Sequence, residues 1–536
     1  MRAAGSALRI TAAIVLVGAL AACSRGDKTN PTTTSRPSGS IVDGGTLRLG
    51  LGGPVQPDPA AASLGSPADL MVLDLLYDGL TRLDADGEAA PALASEWTHD
   101  PNLRTWVFTL AAGASFTDGR PITSADVVAS LEHVARGGDA SLAALRLETI
   151  SGFRAFVDGT VPHLAGLTAP DATTVSVALD TPLSVLPVLL ASPQYGIVDV
   201  ASLEAATAAP DLRSLALSGA WSVRSAKADM LTLARRKGRR GHLDGIRLRS
   251  YTSTEAAYDA FDEGREDWAS VPVSRYGDAV DQHGDDAFQP FHAELFFGMR
   301  LTAPSLGNLE MRKAIAQAID RDAIVRAVYP DVAAPLRRVV PAGLPGAQPD
   351  LCADCGYPHD GASAKATVQA AFPDGQVPTV AIDYDESPAQ DAMAKIVARD
   401  LEQAGIPTQL RPKPLEDYKA FVVSGAQELF SFGWIGGYAA PDAYLAPLFG
   451  SAADDNLTGY RSANVDAGLA AARANPDRAA ALRQWSEVEG QVLADAVVVP
   501  VAQFRTEVVV GSRVRGLVHQ IDGSVDWAAV WVTDGR

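Results

Sequence analysis

Cysteine is scarce in this chain of 536 residues, where it occurs only at Cys23, Cys352 and Cys355. A zinc site at the close pair Cys352 and Cys355 is disfavoured, because about four ligands are needed and only His359 lies nearby. A thioredoxin-type redox motif is disfavoured as well, because no βαβ pattern surrounds the pair. Outside the cytoplasmic membrane, a close pair of cysteines is most simply a disulfide. We therefore predict that Cys352 and Cys355 form a structural disulfide.

Motifs of catalysis and cofactor binding are also lacking. The chain contains no G-x-S-x-G elbow, no H-E-x-x-H pair, no P-loop and no G-x-G-x-x-G turn. Its eight histidines are scattered and never paired at metal-ligand spacing, and no pair of acids stands out from solvated surface. We expect a protein that is not an enzyme and that has no catalytic residue, no metal site and no cofactor.

Positive charge is in deficit, with 45 Lys and Arg residues against 64 Asp and Glu residues and a formal net charge of −19. Nucleic acid is a poor partner for such a chain, because its binding needs cationic contacts to phosphate. One basic cluster exists at residues 234–242, where we predict a solvated turn between two strands. We therefore expect no nucleic acid among the partners.

Long apolar runs are absent beyond the first residues, and residues 10–22 form the one extended apolar segment. This segment of about 13 residues is too short to span a bilayer, which needs about 20. Arg2 and Arg9 provide a short basic region around its start. The pattern is typical of a secretory signal peptide, which we place at residues 1–22.

The small residues before Cys23 resemble the bacterial lipobox, in which the cysteine is acylated and becomes the mature N-terminus. An ordinary signal peptide followed by a chance cysteine is the alternative. Residues 23–43 are polar and rich in Ser, Thr and Pro, which indicates a lipidated terminus with a flexible tether. We expect a protein that is lipid-anchored at the outer face of the cytoplasmic membrane.

What the chain does contain is an alternation of strand and helix patterns, which indicates the α/β class. Residues 105–110 alternate apolar and polar side chains, as a half-buried strand does. Thr123 and Asp126 form a weak capping box before a helix. Residues 309–329 have the apolar spacing of one long helix. The roughly 490 residues after the tether are enough for two to four domains or one large bilobed unit.

Three blocks in the same order resemble a known family, namely residues 77–131, residues 311–329, and residues 430–449 followed by 459–472. The chain resembles the family 5 extracellular solute-binding proteins of the oligopeptide, dipeptide and nickel importers. The resemblance implies a bilobed, periplasmic-binding-protein-like α/β fold with an additional inserted domain. The implied segments are a discontinuous lobe I (44–72, 190–294 and 499–536), an inserted domain II (73–189) and a lobe III (295–498).

The resemblance also implies a function. Proteins of this family capture a solute between two lobes and deliver it to a membrane permease driven by ATP. We expect a monomer that binds peptides or peptide-like solutes and whose partners are the permease and ATPase subunits of an ABC importer. Two alternatives stay open: the same scaffold with a metal chelate, haem or sugar as cargo, or an envelope regulatory lipoprotein that does not transport.

The stretch SFGWIGGYAAPDAY at residues 431–444 is the candidate ligand site. In the family's peptide binders this strand carries a tryptophan, and an aspartate three residues later holds the free α-amino group of the peptide. Trp434 keeps the tryptophan, but Gly437 stands where the acid is expected. Either another acid replaces it, with Asp442 nearest in sequence, or the ligand has no free ammonium at this place.

The predicted ligand-binding residues are Trp434, Gly436, Gly437, Tyr438, Asp442, Gly52 and Gly53. Trp434 would stack on the ligand or form a wall beside it, and the glycines would present backbone N–H and C=O groups. Such pairing with a ligand backbone accepts many side-chain sequences. The alternative is that Trp434 is part of the core and that the glycines only let the strand turn.

Overall fold

The computed structural model describes residues 40–208, 212–284, 287–347 and 357–533. The predicted signal peptide, the lipidation site Cys23 and the cysteine pair Cys352 and Cys355 lie outside these ranges, and they stay predictions. Within these ranges, no helix has both the length and the apolar character needed to cross a bilayer.

The strands of the described residues are, in chain order, β1 (Thr46–Leu51), β2 (Thr81–Leu83), β3 (Ala89–Pro91), β4 (Ala94–His99), β5 (Thr105–Leu110), β6 (Leu167–Asp171), β7 (Thr174–Ala178), β8 (Trp221–Lys227), β9 (Met230–Arg235), β10 (Gly245–Ser250), β11 (Trp268–Ser270), β12 (Pro290–Met299), β13 (Ala333–Pro335), β14 (Val380–Asp385), β15 (Thr408–Lys413), β16 (Leu429–Ile435), β17 (Val498–Arg505), β18 (Val508–Val510), β19 (Val514–Arg515) and β20 (Trp531–Val532).

The α-helices of the described residues are α1 (Pro67–Leu76), α2 (Ser124–Ala135), α3 (Leu142–Arg146), α4 (Phe153–Val157), α5 (Leu186–Leu189), α6 (Val200–Ala208), α7 (Thr254–Asp262), α8 (Tyr276–His283), α9 (Leu309–Ala318), α10 (Arg321–Val328), α11 (Gly361–Ala371), α12 (Pro388–Gln403), α13 (Leu415–Ser424), α14 (Asp442–Phe449), α15 (Ala463–Arg473) and α16 (Arg478–Ala494).

The described residues contain three main sheets, which we label lobe I, domain II and lobe III after the predicted segments in which most of their strands lie. The lobe I sheet has the strand order β18-β11-β1-β10-β9-β8, with β1 parallel to both of its neighbours. Domain II contains the antiparallel sheet β4-β5-β7-β6 and the small ribbon β2-β3. The lobe III sheet has the order β13-β17-β12-β16-β14-β15. The α/β class with several domains is thus confirmed, and β12 and β17 extend the lobe III sheet past residues 295 and 498.

The predicted long helix over residues 309–329 is wrong, because two helices occupy this segment. α9 ends at Ala318, and α10 begins at Arg321. Between them, the side chain of Asp320 accepts a hydrogen bond from the backbone N–H of Ala323, at 2.9 Å. An aspartate that caps a helix start competes with helix continuation, and apolar spacing alone does not reveal this. The capping box of Thr123 and Asp126 is confirmed at the start of α2.

The basic segment 234–242 is more than a solvated turn. Arg236 follows β9 and reaches domain II, where its guanidinium donates to the carbonyl oxygens of Ser115 (2.8 Å) and Phe116 (3.1 Å). Arg239 forms an ion pair with Asp78 at 3.0 Å. Because a planar guanidinium offers five donors, one side chain can satisfy several carbonyl groups at once. These arginines join lobe I to domain II.

Short segments of chain connect the lobe I and lobe III sheets. β17 ends at Arg505 in lobe III and β18 begins at Val508 in lobe I, so two residues separate them. The second connection enters β12 through Gln289. Its carbonyl accepts a hydrogen bond from the Thr506 N–H (2.8 Å), and its N–H donates to the Thr506 hydroxyl (3.1 Å). The two crossings are therefore bonded side by side.

Strands β12 and β16 present two different faces. Phe296, Phe432 and Trp434 belong to an apolar cluster that also contains many domain II residues. Leu295 and Ile435 belong instead to the cluster that packs against lobe III helices. Since successive side chains of a strand point to opposite faces, Phe296, Phe432 and Trp434 share one face with Glu294, and Arg146 of domain II meets this face at Trp434.

Candidate ligand site between domain II and lobe III

The turn that joins β16 to α14, residues 436–441, is buried. At its start, the Gly436 N–H donates to the His292 carbonyl at 3.0 Å and continues the pairing of β16 with β12. A Cβ atom at position 436 would overlap the hydroxyl of Tyr444. Glycine is needed here because the Tyr444 ring approaches the backbone too closely for any side chain.

Gly437 contacts an arginine from the other side of the interface. Arg146, at the end of α3 in domain II, covers this residue, so that a Cβ atom would lie 2.5 Å from the Arg146 Nε. The guanidinium also donates to the Ile435 carbonyl at 3.3 Å and lies 4.9 Å from the centre of the Trp434 ring. A cation from domain II therefore lies at the position where the family's peptide binders have an acid.

Trp434 lies on the face of β16 that is directed toward domain II, and only 5% of it is exposed. Its indole N–H donates to the Ala443 carbonyl at 2.9 Å. The hydrogen bond fixes the ring against the first turn of α14, while Arg146 covers the ring. This placement suits a ligand wall as well as a core residue, and the role of Trp434 stays a prediction.

Asp442, the nearest acid in sequence, is fully buried and already paired. Its carboxylate accepts two hydrogen bonds from Arg473, at 2.6 and 3.0 Å, and a third from the Tyr438 hydroxyl. Burial, followed by the negative charge of Asp442, raises the pKa of Tyr438 well above its ordinary value. Because its partners occupy both oxygens, Asp442 meets a ligand ammonium only if Arg473 moves.

Glu294 is a second buried acid, and sequence reasoning missed it. It lies directly opposite Trp434 in the pairing of β12 with β16, and 1% of it is exposed. Neither of its carboxylate oxygens has a hydrogen-bond partner among the described residues. Burial raises the pKa of Glu294 well above its ordinary value. A single acid inside the apolar strand sequence PFHAELFFGM was the available signal.

A cleft of about 730 Å³ opens beside the turn, between α3 of domain II and helices α14 and α15 of lobe III. Tyr438 and Asp442 line it from lobe III, together with Arg473, and Arg146 and Glu148 line it from domain II. The cleft therefore offers charges of both signs next to apolar surface. Of the predicted site residues, Tyr438 and Asp442 line this cleft, whereas Trp434, Gly436 and Gly437 lie behind Arg146 and are not part of its lining.

Gly52 and Gly53 lie elsewhere, in a small hollow of about 210 Å³ whose lining residues all belong to lobe I segments. A Cβ atom at Gly52 would lie 2.6 Å from the Thr254 hydroxyl oxygen, so this glycine allows a loop to approach α7. Gly53 has open space around its Cα atom. Their assignment to the ligand site stays a prediction.

The sequence profile of the bacterial extracellular solute-binding proteins, family 5, matches residues 88–456, which is well over half of the chain. The chain belongs to this family. A family 5 protein is a solute-binding protein and not an enzyme, and the relatives agree with this.

Two relatives of this family 5 protein cover most of its length. The dipeptide-binding protein DppE of Bacillus subtilis (strain 168) is 23% identical over 480 residues, or 85% of this chain and 87% of that protein. The periplasmic murein peptide-binding protein MppA of Escherichia coli (strain K12) is 24% identical over 465 residues, or 84% and 86%.

Solved structures share the fold of this family 5 protein. The unliganded open form of the murein tripeptide-binding protein MppA has a TM-score of 0.82 at 21% identity, with 92% of this chain and 99% of that chain covered. HbpA2 from Haemophilus parasuis has a TM-score of 0.74 at 19% identity, with 91% and 100% covered. At these identities the likeness concerns the fold alone.

Proposed function

We propose that this family 5 protein is the peptide-binding component of an ABC importer and passes its ligand to a membrane permease. The observation that carries the proposal is the cleft between domain II and lobe III, where charges of both signs adjoin Trp434 and the turn after it. A peptide has charged ends, a polar backbone and apolar side chains, and these features match such a lining. The names of the relatives DppE and MppA support the same ligand class.

The experiment is to identify the ligand directly. The mature protein is purified without denaturation, and the molecules that denaturation then releases are analysed by mass spectrometry. We expect peptides, and we expect the emptied protein to bind them again in calorimetry. Release of haem, a metal chelate or a sugar, with no peptide binding, would contradict the proposal and favour another cargo.

We further propose that the protein is anchored through lipid on Cys23, at the outer face of the cytoplasmic membrane. The support is the lipobox-like sequence Leu20-Ala21-Ala22-Cys23 behind an apolar segment. Replacement of Cys23 by Ala should leave an unprocessed or soluble protein, whereas the matched variant Ser24→Ala should remain lipid-modified. A Cys23→Ala protein that still partitions into detergent as a lipid-modified species would contradict the anchor.

A further inference from the structure

The charge at the ligand turn is reversed compared with a peptide site that has an acid at position 437. Arg146 covers Gly437, so a ligand ammonium placed there would meet a guanidinium instead of a carboxylate. Two like charges in a buried site repel each other strongly, because little water is present to screen them. An ammonium group therefore needs another acid in this part of the molecule.

Asp442 is a poor substitute, because its hydrogen bonds to Arg473 and Tyr438 already compensate its charge. A ligand cation would have to displace a bidentate arginine, which is among the strongest partners of a carboxylate. Glu294 differs in this respect, since no ion pair or hydrogen bond to its carboxylate exists among the described residues.

Glu294 also points to the correct side. Its side chain shares the face of the sheet with Trp434, its cross-strand neighbour, and Arg146 of domain II covers the Trp434 ring on this face. The other groups nearby leave the acid uncompensated. Burial lowers the pKa of His292 to about 4, so that this imidazole is neutral at pH 7. The Tyr444 hydroxyl donates to the His292 carbonyl at 3.3 Å.

An isolated buried carboxylate is unfavourable, and native proteins usually compensate such a group with a partner. A ligand can be that partner when the acid lies on the ligand-facing side. We propose that Glu294 binds the positively charged group of the ligand, the α-ammonium of a peptide or an equivalent amine, and so takes the place of the acid that is absent at Gly437. This inference rests on the proposed peptide function.

The test compares peptides with free and with acetylated amino termini, using tri-alanine and penta-alanine as probes in calorimetry. The wild-type protein should bind the free forms at least about 30-fold more tightly, the factor expected when one partner of a buried charge pair is removed. Glu294→Gln should lose this preference. The matched control Asp391→Asn, at an exposed acid that pairs with Lys395 outside the cleft, should keep it, and circular dichroism establishes that each variant is folded.

The outcomes distinguish a failure of the role of Glu294 from a failure of the peptide function. Equal affinity of the wild-type protein for free and acetylated peptides, or a preference that persists in Glu294→Gln, would overturn the role of Glu294 and leave the peptide function intact. If neither probe binds the wild-type protein and no peptide is released on denaturation, the peptide function itself fails.

Discussion

Asp442 and Glu294 are two buried carboxylates at the same turn, and their surroundings are opposite. Asp442 has three hydrogen bonds, two of them from Arg473. Glu294 has none among the described residues, although it is equally hidden from solvent. The comparison separates two uses of a buried charge. A compensated acid fixes local structure, whereas an uncompensated one is unfavourable until something else brings the opposite charge.

The first prediction removes the charge of the compensated acid, Asp442, and here we expect the largest effect on stability. Asp442→Asn leaves Arg473 without its counter-charge, which should destabilise the fold by about 3–5 kcal/mol. Thermal unfolding at pH 7 measures the loss. The exposed pair of Lys395 and Asp391 is the control, because Asp391→Asn should cost less than about 1 kcal/mol. Equal losses of stability in the two variants would show that the pair of Asp442 and Arg473 contributes no more than an exposed ion pair.

A smaller loss should follow from removing only one of the partners of Asp442. Tyr438→Phe deletes a hydroxyl that donates to the carboxylate and keeps the Arg473 pair. Hydrogen bonds to charged groups contribute about 1.5–3 kcal/mol, and denaturant unfolding should show a destabilisation in this range. A change as large as that of Asp442→Asn would mean that the tyrosine, rather than the arginine, holds this acid.

Glu294→Gln should change the stability in the opposite direction, toward a more stable ligand-free protein. The pKa of Glu294 lies well above its ordinary value of 4.5 because of burial, so the folded chain keeps its proton to higher pH than the unfolded chain does. Stability therefore falls as pH rises from about 4.5 toward the folded pKa. Replacement by glutamine removes this loss and should make the ligand-free protein more stable than wild type at pH 8.

Thermal unfolding of wild type and Glu294→Gln at pH 5 and pH 8 checks this prediction, and the difference in stability between the two proteins should be larger at pH 8. The other titrating groups around Glu294 keep their charge between pH 5 and 8, because burial lowers the pKa of His292 to about 4 and raises that of Tyr444 well above its ordinary value. A variant that is less stable than wild type at pH 8 would mean that Glu294 is compensated.

The smallest effect is expected when a third carboxylate is added. Gly437→Asp places an acid against Arg146, whose flexible side chain can give way. We expect the free energy of unfolding to change by less than about 1 kcal/mol, because the new ion pair offsets the crowding. Gly436→Ala is the contrast, since its Cβ atom meets the rigid Tyr444 ring. A large destabilisation by Gly437→Asp would show that the Arg146 side chain cannot move aside.

Local sequence patterns predicted much of the fold. The alternation over residues 105–110 corresponds to β5, and the capping box of Thr123 and Asp126 starts α2, because both signals depend only on near neighbours. The pattern failed at residues 309–329, where the apolar spacing continues through the cap at Asp320. Apolar periodicity reports which face is buried and is insensitive to a short break in the backbone.

The candidate site could be predicted only in part. Trp434 and the glycines after it were visible, but the reasons for the glycines are Tyr444 and Arg146. Arg146 lies in another domain, far away in sequence, so nothing in the local pattern connects it with the turn. The partner of Asp442 is likewise set by the packing of α15 on α14, which a single sequence does not reveal.

The two-residue link between β17 and β18 limits how the lobe I and lobe III sheets can move relative to each other. Two residues of extended chain reach at most about 7 Å, and the second crossing at Gln289, which runs antiparallel to this link, is bonded to it. The lobe I and lobe III sheets can therefore rotate relative to each other about this link, but they cannot separate from each other there. Relative motion of the two sheets is therefore limited to a change of the angle between them.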